Sequence, residues 1–278
     1  MRWYRGEGRH SLPWRQTRDP YAVLVSEVML QQTQVERVLP YFATWMARWP
    51  GFEAVAAEPA SEVIRAWRGL GYNRRALNLH RLAAEVVSNY AGRLPDDAHA
   101  LRRLPGIGPY TAAAVQCFAR GERVVVADTN IARVVSRTCL GAASQRSVPA
   151  RDLSDALRHL LPVRSARNHN LALMDFGALV CTARSPGCDI CPLSRLCAWN
   201  LAGKPGETAP QPATPRFETT ARFARGRIID ALRESPARTA GLAAMLPHPH
   251  ATRAERYLEA LEREGLVERN DDWWRLPR

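Results

Sequence analysis

Residues 104–114, LPGIGPYTAAA, place two prolines and two glycines in the middle of an otherwise helix-forming chain. Gly106 and Gly108 lie two residues apart, where glycine permits a tight turn that other residues adopt only with strain. An alanine-rich helix resumes directly afterwards, so the N–H groups of the turn are exposed at a helix start, an arrangement that binds anions. From this stretch alone, a plain turn between two helices is the favoured interpretation.

The charge of the chain narrows the choice of partner. Its 39 Lys and Arg residues against 27 Asp and Glu residues give a formal net charge of +12, which indicates a polyanionic partner. No apolar run approaches the roughly 18 residues that a membrane-spanning helix needs, and no basic helix with a fully apolar face stands out. We therefore expect a nucleic acid as the partner and no membrane.

Hydrophobic periodicity predicts a mainly α-helical protein. The first long helical pattern, 20–49, is interrupted at Pro40, and another covers 74–92 and closes with a glycine. Residues 203–220 are rich in Pro, Gly and Thr and are predicted to be a linker. Residues 221–278 predict three helices followed by a hairpin with an Asn-Asp-Asp turn, an order that resembles a winged helix.

Four cysteines are crowded into one short segment with the spacing C-x6-C-x2-C-x5-C: Cys181, Cys188, Cys191 and Cys197. Four thiolates in one loop suit a soft metal, either zinc or an iron–sulfur cluster. Zinc ribbons usually pair two C-x2-C hooks, so the uneven spacing favours a cluster. The two other cysteines, Cys117 and Cys139, lie on apolar helix faces and are expected in the core.

The cysteine spacing, following LPGIGPYT and a later Asp, resembles the helix-hairpin-helix DNA glycosylases of the endonuclease III superfamily. The resemblance is stronger to one branch, the MutY-type adenine DNA glycosylases, and it covers about residues 1–200. It rests on motifs that occur in the family's order: LPWR (12–15), SEVMLQQTQV (26–35), GLGY (69–72), GIGPYTAAA (106–114), DTNIARV (128–134) and FGALVCTARSPGCDICPL (176–193).

The resemblance implies a two-lobed fold and a 4Fe–4S cluster on the four cysteines. The expected organisation begins with an N-terminal part of the cluster lobe (1–19) and a helical barrel lobe that contains the helix-hairpin-helix (20–130). The rest of the cluster lobe (131–202), a linker (203–220) and a winged-helix-like α+β domain (221–278) follow.

Cleavage of an N-glycosidic bond needs an acid that protonates the departing base and a negative charge or nucleophile beside the sugar. Two carboxylates in different environments meet this demand. Glu27 is the lone carboxylate of YAVLVSEVML, where burial would raise its pKa, although an exposed Glu on one helix face is equally open. Asp128 follows RVVVA at a helix start, where an N-cap role is also open. By resemblance, Glu27 protonates the base and Asp128 stabilises or attacks the sugar.

Two further positions match residues that flank this site in the family, Tyr110 and Asn130. The endonuclease III branch has at the Tyr110 position a lysine that attacks the sugar and cleaves the strand through a Schiff base. With tyrosine there, the resemblance implies an enzyme that removes a base and leaves the abasic strand largely uncut.

The resemblance also assigns residues that bind DNA. A base in a duplex must be flipped out before it can react, and Gln32 and Tyr72 match the residues that fill the gap. Gly106 and Gly108 match the hairpin that holds a backbone phosphate, a contact that positions the duplex without reading its sequence. The segment lining the adenine pocket is matched by three residues: Leu12, Trp14 and Arg15.

Two departures from the family pattern bear on specificity. Leu171 stands where the family offers a Glu or Gln to the adenine edge, and an apolar side chain cannot make that hydrogen bond. Larger relatives carry a domain that resembles a nucleotide-pyrophosphate hydrolase and inspects the opposite 8-oxoguanine, whereas residues 221–278 resemble a winged helix. A modest preference for 8-oxoguanine over guanine is therefore expected.

The main hypothesis is a monofunctional glycosylase that removes adenine opposite 8-oxoguanine or guanine in base excision repair. It would act as a monomer on double-stranded DNA that contains a mispair or an oxidised base, in the bacterial cytoplasm at the nucleoid. A thymine or uracil mismatch glycosylase shares Glu, Tyr and Asp at these positions and is the alternative. A non-enzymatic iron–sulfur winged-helix regulator is a third hypothesis.

Overall fold

The computed structural model describes residues 1–206 and 215–278, so part of the predicted linker, 207–214, lies outside the described residues. The helices are Arg2–Glu7 (α1), Pro13–Gln16 (α2), Pro20–Leu30 (α3), Val35–Arg48 (α4), Phe52–Ala56 (α5), Ala60–Ala66 (α6), Arg74–Tyr90 (α7), Ala98–Arg103 (α8), Pro109–Ala114 (α9), Thr129–Leu140 (α10), Ala150–Leu160 (α11), Ala166–Leu179 (α12), Ala198–Leu201 (α13), Ala221–Glu234 (α14), Thr239–Ala244 (α15) and Ala254–Arg263 (α16). The strands are Ala237–Arg238 (β1), Glu268–Asn270 (β2) and Trp273–Arg275 (β3), and a π-helical turn, Val115–Ala119, continues α9. The predicted mainly α-helical fold is confirmed.

The described residues form two compact units. One, the cluster unit, comprises Met1–Leu24 and the described residues from Ile107 to 206. The other, the barrel unit, comprises Val25–Gly106 and the described residues from 215 to Arg278. The chain passes from one unit to the other inside α3 and again in the glycine-rich hairpin.

The expected interruption at Pro40 is wrong. The break lies at residues 31–34, where Gln32 adopts a φ of +55°, and Pro40 lies inside α4. Pro40 and Glu36 are both exposed, so water can bond the Glu36 carbonyl that loses its helical partner. The predicted end of the 74–92 pattern is right, since Ala91 and Gly92 both have positive φ.

The core of the cluster unit forms where α9, its π-helical continuation, α10 and α12 meet. Leu171 is 2% exposed and packs in this core with Val23 and Ile131. Its side chain is therefore enclosed by apolar groups. Cys117 is buried in the same core, as expected. Cys139 is exposed, contrary to expectation, because it lies in the last turn of α10, beyond the buried residues of that helix.

The barrel unit has two apolar centres. Trp45 packs edge-on against Trp49 and Trp67, with ring centroids 4.6 and 5.5 Å away. The second centre joins Ile64 and Leu77 to apolar residues of the C-terminal segment, the described residues from 215 to 278. The C-terminal segment thus shares one core with helices α6 and α7.

The first α-helix of the C-terminal segment, α14, is capped by Thr220, whose hydroxyl accepts from the Phe223 N–H. Its elements follow the order α14, β1, α15, α16, β2 and β3, and its sheet has the order β1-β3-β2. The predicted hairpin is β2 and β3, with Asp271 at a φ of +53° in the turn. The third strand, β1, has two residues and is too short to give an alternating pattern.

Among the described residues, no helix combines the length and hydropathy needed to cross a membrane.

Candidate functional site

The hairpin between α8 and α9 has the local geometry that its glycines suggest. Gly106 is exposed and has a φ of +79°, and a Cβ there would lie 2.9 Å from the Cβ of Asn78. Gly108 is the N-cap of α9, and the space where its Cβ would lie is open. Pro109 follows at the first helical position, where its missing N–H costs nothing. The first N–H groups of α9 therefore follow a glycine that has open space on its Cβ side.

Asp128 lies at the N-terminus of α10 and does cap the helix. Its Oδ1 accepts from the Ile131 N–H at 2.6 Å, and its Oδ2 accepts from the Asn130 side-chain amide at 2.9 Å. Burial raises the pKa of this carboxyl, while the two hydrogen bonds and the charge of Arg133 act in the opposite direction. Asp128 is thus a constrained carboxylate with a defined orientation.

A relay of hydrogen bonds supports Asp128. The Arg133 guanidinium donates to Oδ1 of Asn130 at 2.8 Å and to the Gly177 carbonyl at 2.6 Å. Gly177 admits this close approach, because a Cβ there would lie 2.7 Å from the Cβ of Asn130. Arg133 therefore fixes the amide orientation of Asn130, and Asn130 in turn holds the carboxylate.

The residues predicted to line the adenine pocket lie in the cluster unit. Leu12 and Trp14 are buried, and the Arg15 guanidinium donates twice to Asp175, at 3.0 and 3.3 Å. Arg9 pairs with the same carboxylate at 2.7 Å. Asp175 is fully buried, so these two arginines compensate a charge that would be costly alone. Arg15 consequently has a fixed position.

Tyr110 lies in the first turn of α9 and packs, partly buried, against the core of the cluster unit. It belongs to the same unit as Asp128 and Asn130.

Glu27 lies in α3, within the part assigned to the barrel unit, and is 6% exposed. Of the two open interpretations, burial is the one that the structure supports. Val28 and Met29 beside it are buried as well.

Gln32 and Tyr72 meet at the surface of the barrel unit. The Tyr72 hydroxyl donates to Oε1 of Gln32 at 2.5 Å, and Tyr72 is 37% exposed. Both residues have positive φ, +55° and +47°, which is a strained conformation for side chains of this size. Such strain persists only where the surroundings impose it.

The buried side chain of Arg75 imposes this backbone conformation on the loops that carry Gln32 and Tyr72. Its guanidinium donates to the carbonyls of Val28, Met29 and Gln31 and to those of Leu70 and Gly71, at 2.7–3.0 Å. One cation therefore holds both the loop of Gln32 and the loop of Tyr72. Burial lowers the pKa of Arg75 to about 10, which leaves it charged at neutral pH.

The four clustered cysteines line one cavity of the cluster unit. Burial raises the pKa of the Cys191 thiol, and the three other cysteines raise it further through like-charge repulsion. Within the described residues, no three His, Cys, Asp or Glu side chains come close enough to hold one metal ion. Four cysteine thiolates are the donor set that holds an iron–sulfur cluster, so these residues fit that cofactor.

Arg137 organises the loop that carries these cysteines. It is 4% exposed, lies over the Trp199 ring at 4.5 Å and donates to the carbonyls of Thr182 and Ala183 at 2.7 and 3.0 Å. It also donates to Sγ of Cys181 at 3.5 Å, and hydrogen bonds to a ligating sulfur tune a metal site.

Family models match two parts of the chain. Residues 25–158 match the HhH-GPD superfamily of base excision DNA repair proteins, and residues 181–197 match the iron–sulfur binding domain of endonuclease III. An adenine DNA glycosylase of Mycolicibacterium smegmatis is 45% identical over 98% of this chain and 92% of its own. The chain belongs to the adenine DNA glycosylase family. The predicted 4Fe–4S cofactor is confirmed together with that membership.

Solved structures show the same fold. A thermostable thymine-DNA glycosylase is 34% identical with a TM-score of 0.65, covering 71% of this chain and 91% of that one. Endonuclease III in a non-covalent complex with DNA is 26% identical with a TM-score of 0.62, covering 73% and 92%. Both confirm the helix-hairpin-helix glycosylase fold.

Sequence reasoning missed the arginines that support these sites. Arg133 and Arg137 are four residues apart on α10, a spacing that places them on one face, but either could have been a solvent-exposed charge. Arg75 lies next to another arginine at the start of α7, and nothing in the sequence distinguishes the two.

Proposed function

We propose that this chain is a monofunctional adenine DNA glycosylase that removes adenine opposite 8-oxoguanine or guanine in duplex DNA. The observation that carries the proposal is the similarity to an adenine DNA glycosylase along 98% of the chain, the C-terminal segment included. The similarity to a thymine-DNA glycosylase covers 71% of the chain. The adenine assignment is favoured for this reason.

Glu27 and Asp128 carry the chemistry in this proposal. Glu27 protonates the departing adenine, and its burial supports that role because a carboxyl shielded from water delivers its proton to the base and not to solvent. Asp128, oriented by Asn130, places negative charge beside the sugar as positive charge develops there. Arg133 acts as a positioning residue through Asn130.

Duplex DNA is the proposed partner, bound by a monomer in the bacterial cytoplasm at the nucleoid. The net charge of +12 supports a polyanionic partner. The positive φ of Gly106 and the open space beside Gly108 suit this turn to a phosphate, and the strained Gln32–Tyr72 pair is suited to filling the gap left by a flipped base. Leu12, Trp14 and Arg15 are the proposed lining of the adenine pocket, with Arg15 held in place by Asp175.

Incubation with a panel of duplexes tests the proposal. Adenine opposite 8-oxoguanine, guanine and cytosine, and thymine and uracil opposite guanine, are compared in single turnover, with alkali added to reveal abasic sites. Adenine opposite 8-oxoguanine is expected to react fastest, and strands without alkali to stay largely intact. Borohydride should trap little enzyme on DNA, because Tyr110 replaces the Schiff-base lysine. Faster release of thymine or uracil than of adenine would establish the mismatch-glycosylase alternative instead.

We further propose that Cys181, Cys188, Cys191 and Cys197 are the cluster ligands. When bound, the cluster links the four thiolates and stabilises the surrounding loop.

Cys191→Ser tests this assignment. A cubane cluster contains about four irons per chain, and the variant is expected to lose most of them. It should also become less soluble, because the cluster no longer holds its loop together. Cys139→Ser is the matched control, since Cys139 is exposed and is not among the residues lining the cavity. Iron content and visible absorbance after anaerobic purification give the answer. Full iron content in Cys191→Ser, or stoichiometric zinc in the unaltered protein, contradicts the assignment.

A further inference from the structure

A large groove opens on the barrel unit beside Gln32 and Tyr72. Its volume is about 1170 Å³, and it is bounded by the segments 31–37 and 69–75 and by helix α14 of the C-terminal segment. Six arginines line it against three carboxylates, which are Glu36, Asp230 and Glu264. The groove, defined by these walls, is therefore a cationic surface of nucleotide-scale dimensions.

Arg222 connects the C-terminal segment to the Gln32–Tyr72 pair. It is exposed in the first turn of α14 and donates a hydrogen bond to the Tyr72 hydroxyl. Its guanidinium lies 5.0 Å from the centroid of the Tyr72 ring and 4.8 Å from that of Phe217. Both ring contacts and the hydrogen bond to Tyr72 restrict the position of the Arg222 guanidinium.

Among the described residues, no carboxylate neutralises the charge of Arg222. Arg225, on the same helix, pairs with Glu264 at 2.6 Å, and Arg233 pairs with Asp230. In the part of the chain that the structure describes, Arg222 forms no ion pair with a carboxylate. A guanidinium has five N–H donors, and contact with Tyr72 uses few of them. The others can bind an anion from outside.

We propose that Arg222 is a DNA-contacting residue supplied by the C-terminal segment, and that it binds a backbone phosphate in the groove next to the Gln32–Tyr72 pair. The inference rests on the proposed function, because it takes duplex DNA as the ligand of this surface. If Gln32 and Tyr72 enter the base stack, the hydrogen bond between Arg222 and Tyr72 places the Arg222 guanidinium beside the DNA backbone at the same base-pair step. Arginine binds phosphate with two parallel hydrogen bonds, which suits a fixed guanidinium at that place.

The test compares Arg222→Ala with Arg227→Ala. Arg227 is exposed on the same helix but does not line the groove, so it controls for the loss of one positive charge. The duplex carries 2′-fluoro-adenosine opposite 8-oxoguanine, which permits binding without base release. Arg222→Ala should weaken binding by roughly tenfold and lower the slope of log affinity against log salt by about one, while Arg227→Ala changes neither much. Thermal unfolding of both variants should match that of the unaltered protein.

Tyr72→Phe shows whether Arg222 binds a phosphate or only supports the side chain of Tyr72. It removes the hydroxyl that accepts from Arg222 but no charge, so the salt slope should stay unchanged. Arg222→Lys should keep the slope and recover only part of the affinity, because lysine cannot bind a phosphate with two parallel bonds. An Arg222→Ala slope equal to that of the unaltered protein, or equal losses in the Arg222 and Arg227 variants, overturns the proposal. Absence of adenine release with the Arg222 effect intact rejects the proposed function alone.

Discussion

Glu27→Gln is expected to slow adenine release by roughly 10²- to 10⁴-fold, the usual contribution of a general acid. Glutamine keeps the shape of the buried side chain and loses the carboxyl proton that the departing base requires. Binding of a mispaired duplex should change little, since glutamine has nearly the size of glutamate and can still form hydrogen bonds with the base. Single-turnover release of adenine opposite 8-oxoguanine measures the effect.

Glu255→Gln is the control for this substitution. Glu255 is exposed in α16, so it tests for a general consequence of removing one carboxylate. Its rate should equal that of the unaltered protein. A Glu27→Gln variant that releases adenine at a near-normal rate would place the proton donor elsewhere.

Asp128→Asn is expected to lose at least about a hundredfold in rate, because it removes the negative charge beside the sugar. The new amide can still cap α10 through its oxygen, but its NH2 then faces the NH2 of Asn130. Asn130 cannot turn over without losing its hydrogen bond from Arg133. Both the charge and the orientation of the site are therefore disturbed.

Asp97→Asn separates this effect from the loss of a helix cap. Asp97 caps α8 by accepting from the Ala100 N–H at 2.7 Å, and it is not among the proposed site residues. Asp97→Asn should lose a modest amount of stability and no activity, while Asp128→Asn should lose activity as well as stability. Equal rates in the two variants would remove Asp128 from the chemistry.

The pH dependence of the reaction should also report on Asp128. Burial raises the pKa of this carboxyl above the ordinary aspartate value of 3.8. Only the ionised form can stabilise positive charge, so the rate should fall as the pH drops through the raised pKa. That acid limb should disappear in Asp128→Asn and persist in Asp97→Asn.

Signals that lie within a few residues of one another predicted local structure well. The hairpin of β2 and β3 follows its Asn-Asp-Asp turn, and the cap of α10 follows from an aspartate before an apolar helix. The spacing of the four cysteines indicated a metal or cluster segment and favoured a cluster over zinc, and the family resemblance then implied a 4Fe–4S cluster. In each case the physical cause and the sequence pattern occupy the same short stretch.

The features that the sequence did not predict depend on tertiary contacts. Pro40 continues a helix because its position is exposed, and Leu171 is buried because α12 packs on α10 and the π-helical turn. Arg75 is a buried support because carbonyls from the loop just before α7 and from a segment more than 40 residues away converge on it. No pattern within α7 could show this, since every partner of that guanidinium belongs to another part of the chain.

The core that α6 and α7 share with the C-terminal segment has a consequence for biosynthesis. Ile64 and Leu77 are covered by residues such as Ile228 and Trp274, and the Ser61 N–H donates to the Pro277 carbonyl at 3.0 Å. A ribosome makes the first two residues long before their covering partners, so this apolar surface remains open during most of translation. Premature termination of translation would release a truncated chain with this apolar surface exposed to solvent, which promotes aggregation or proteolysis.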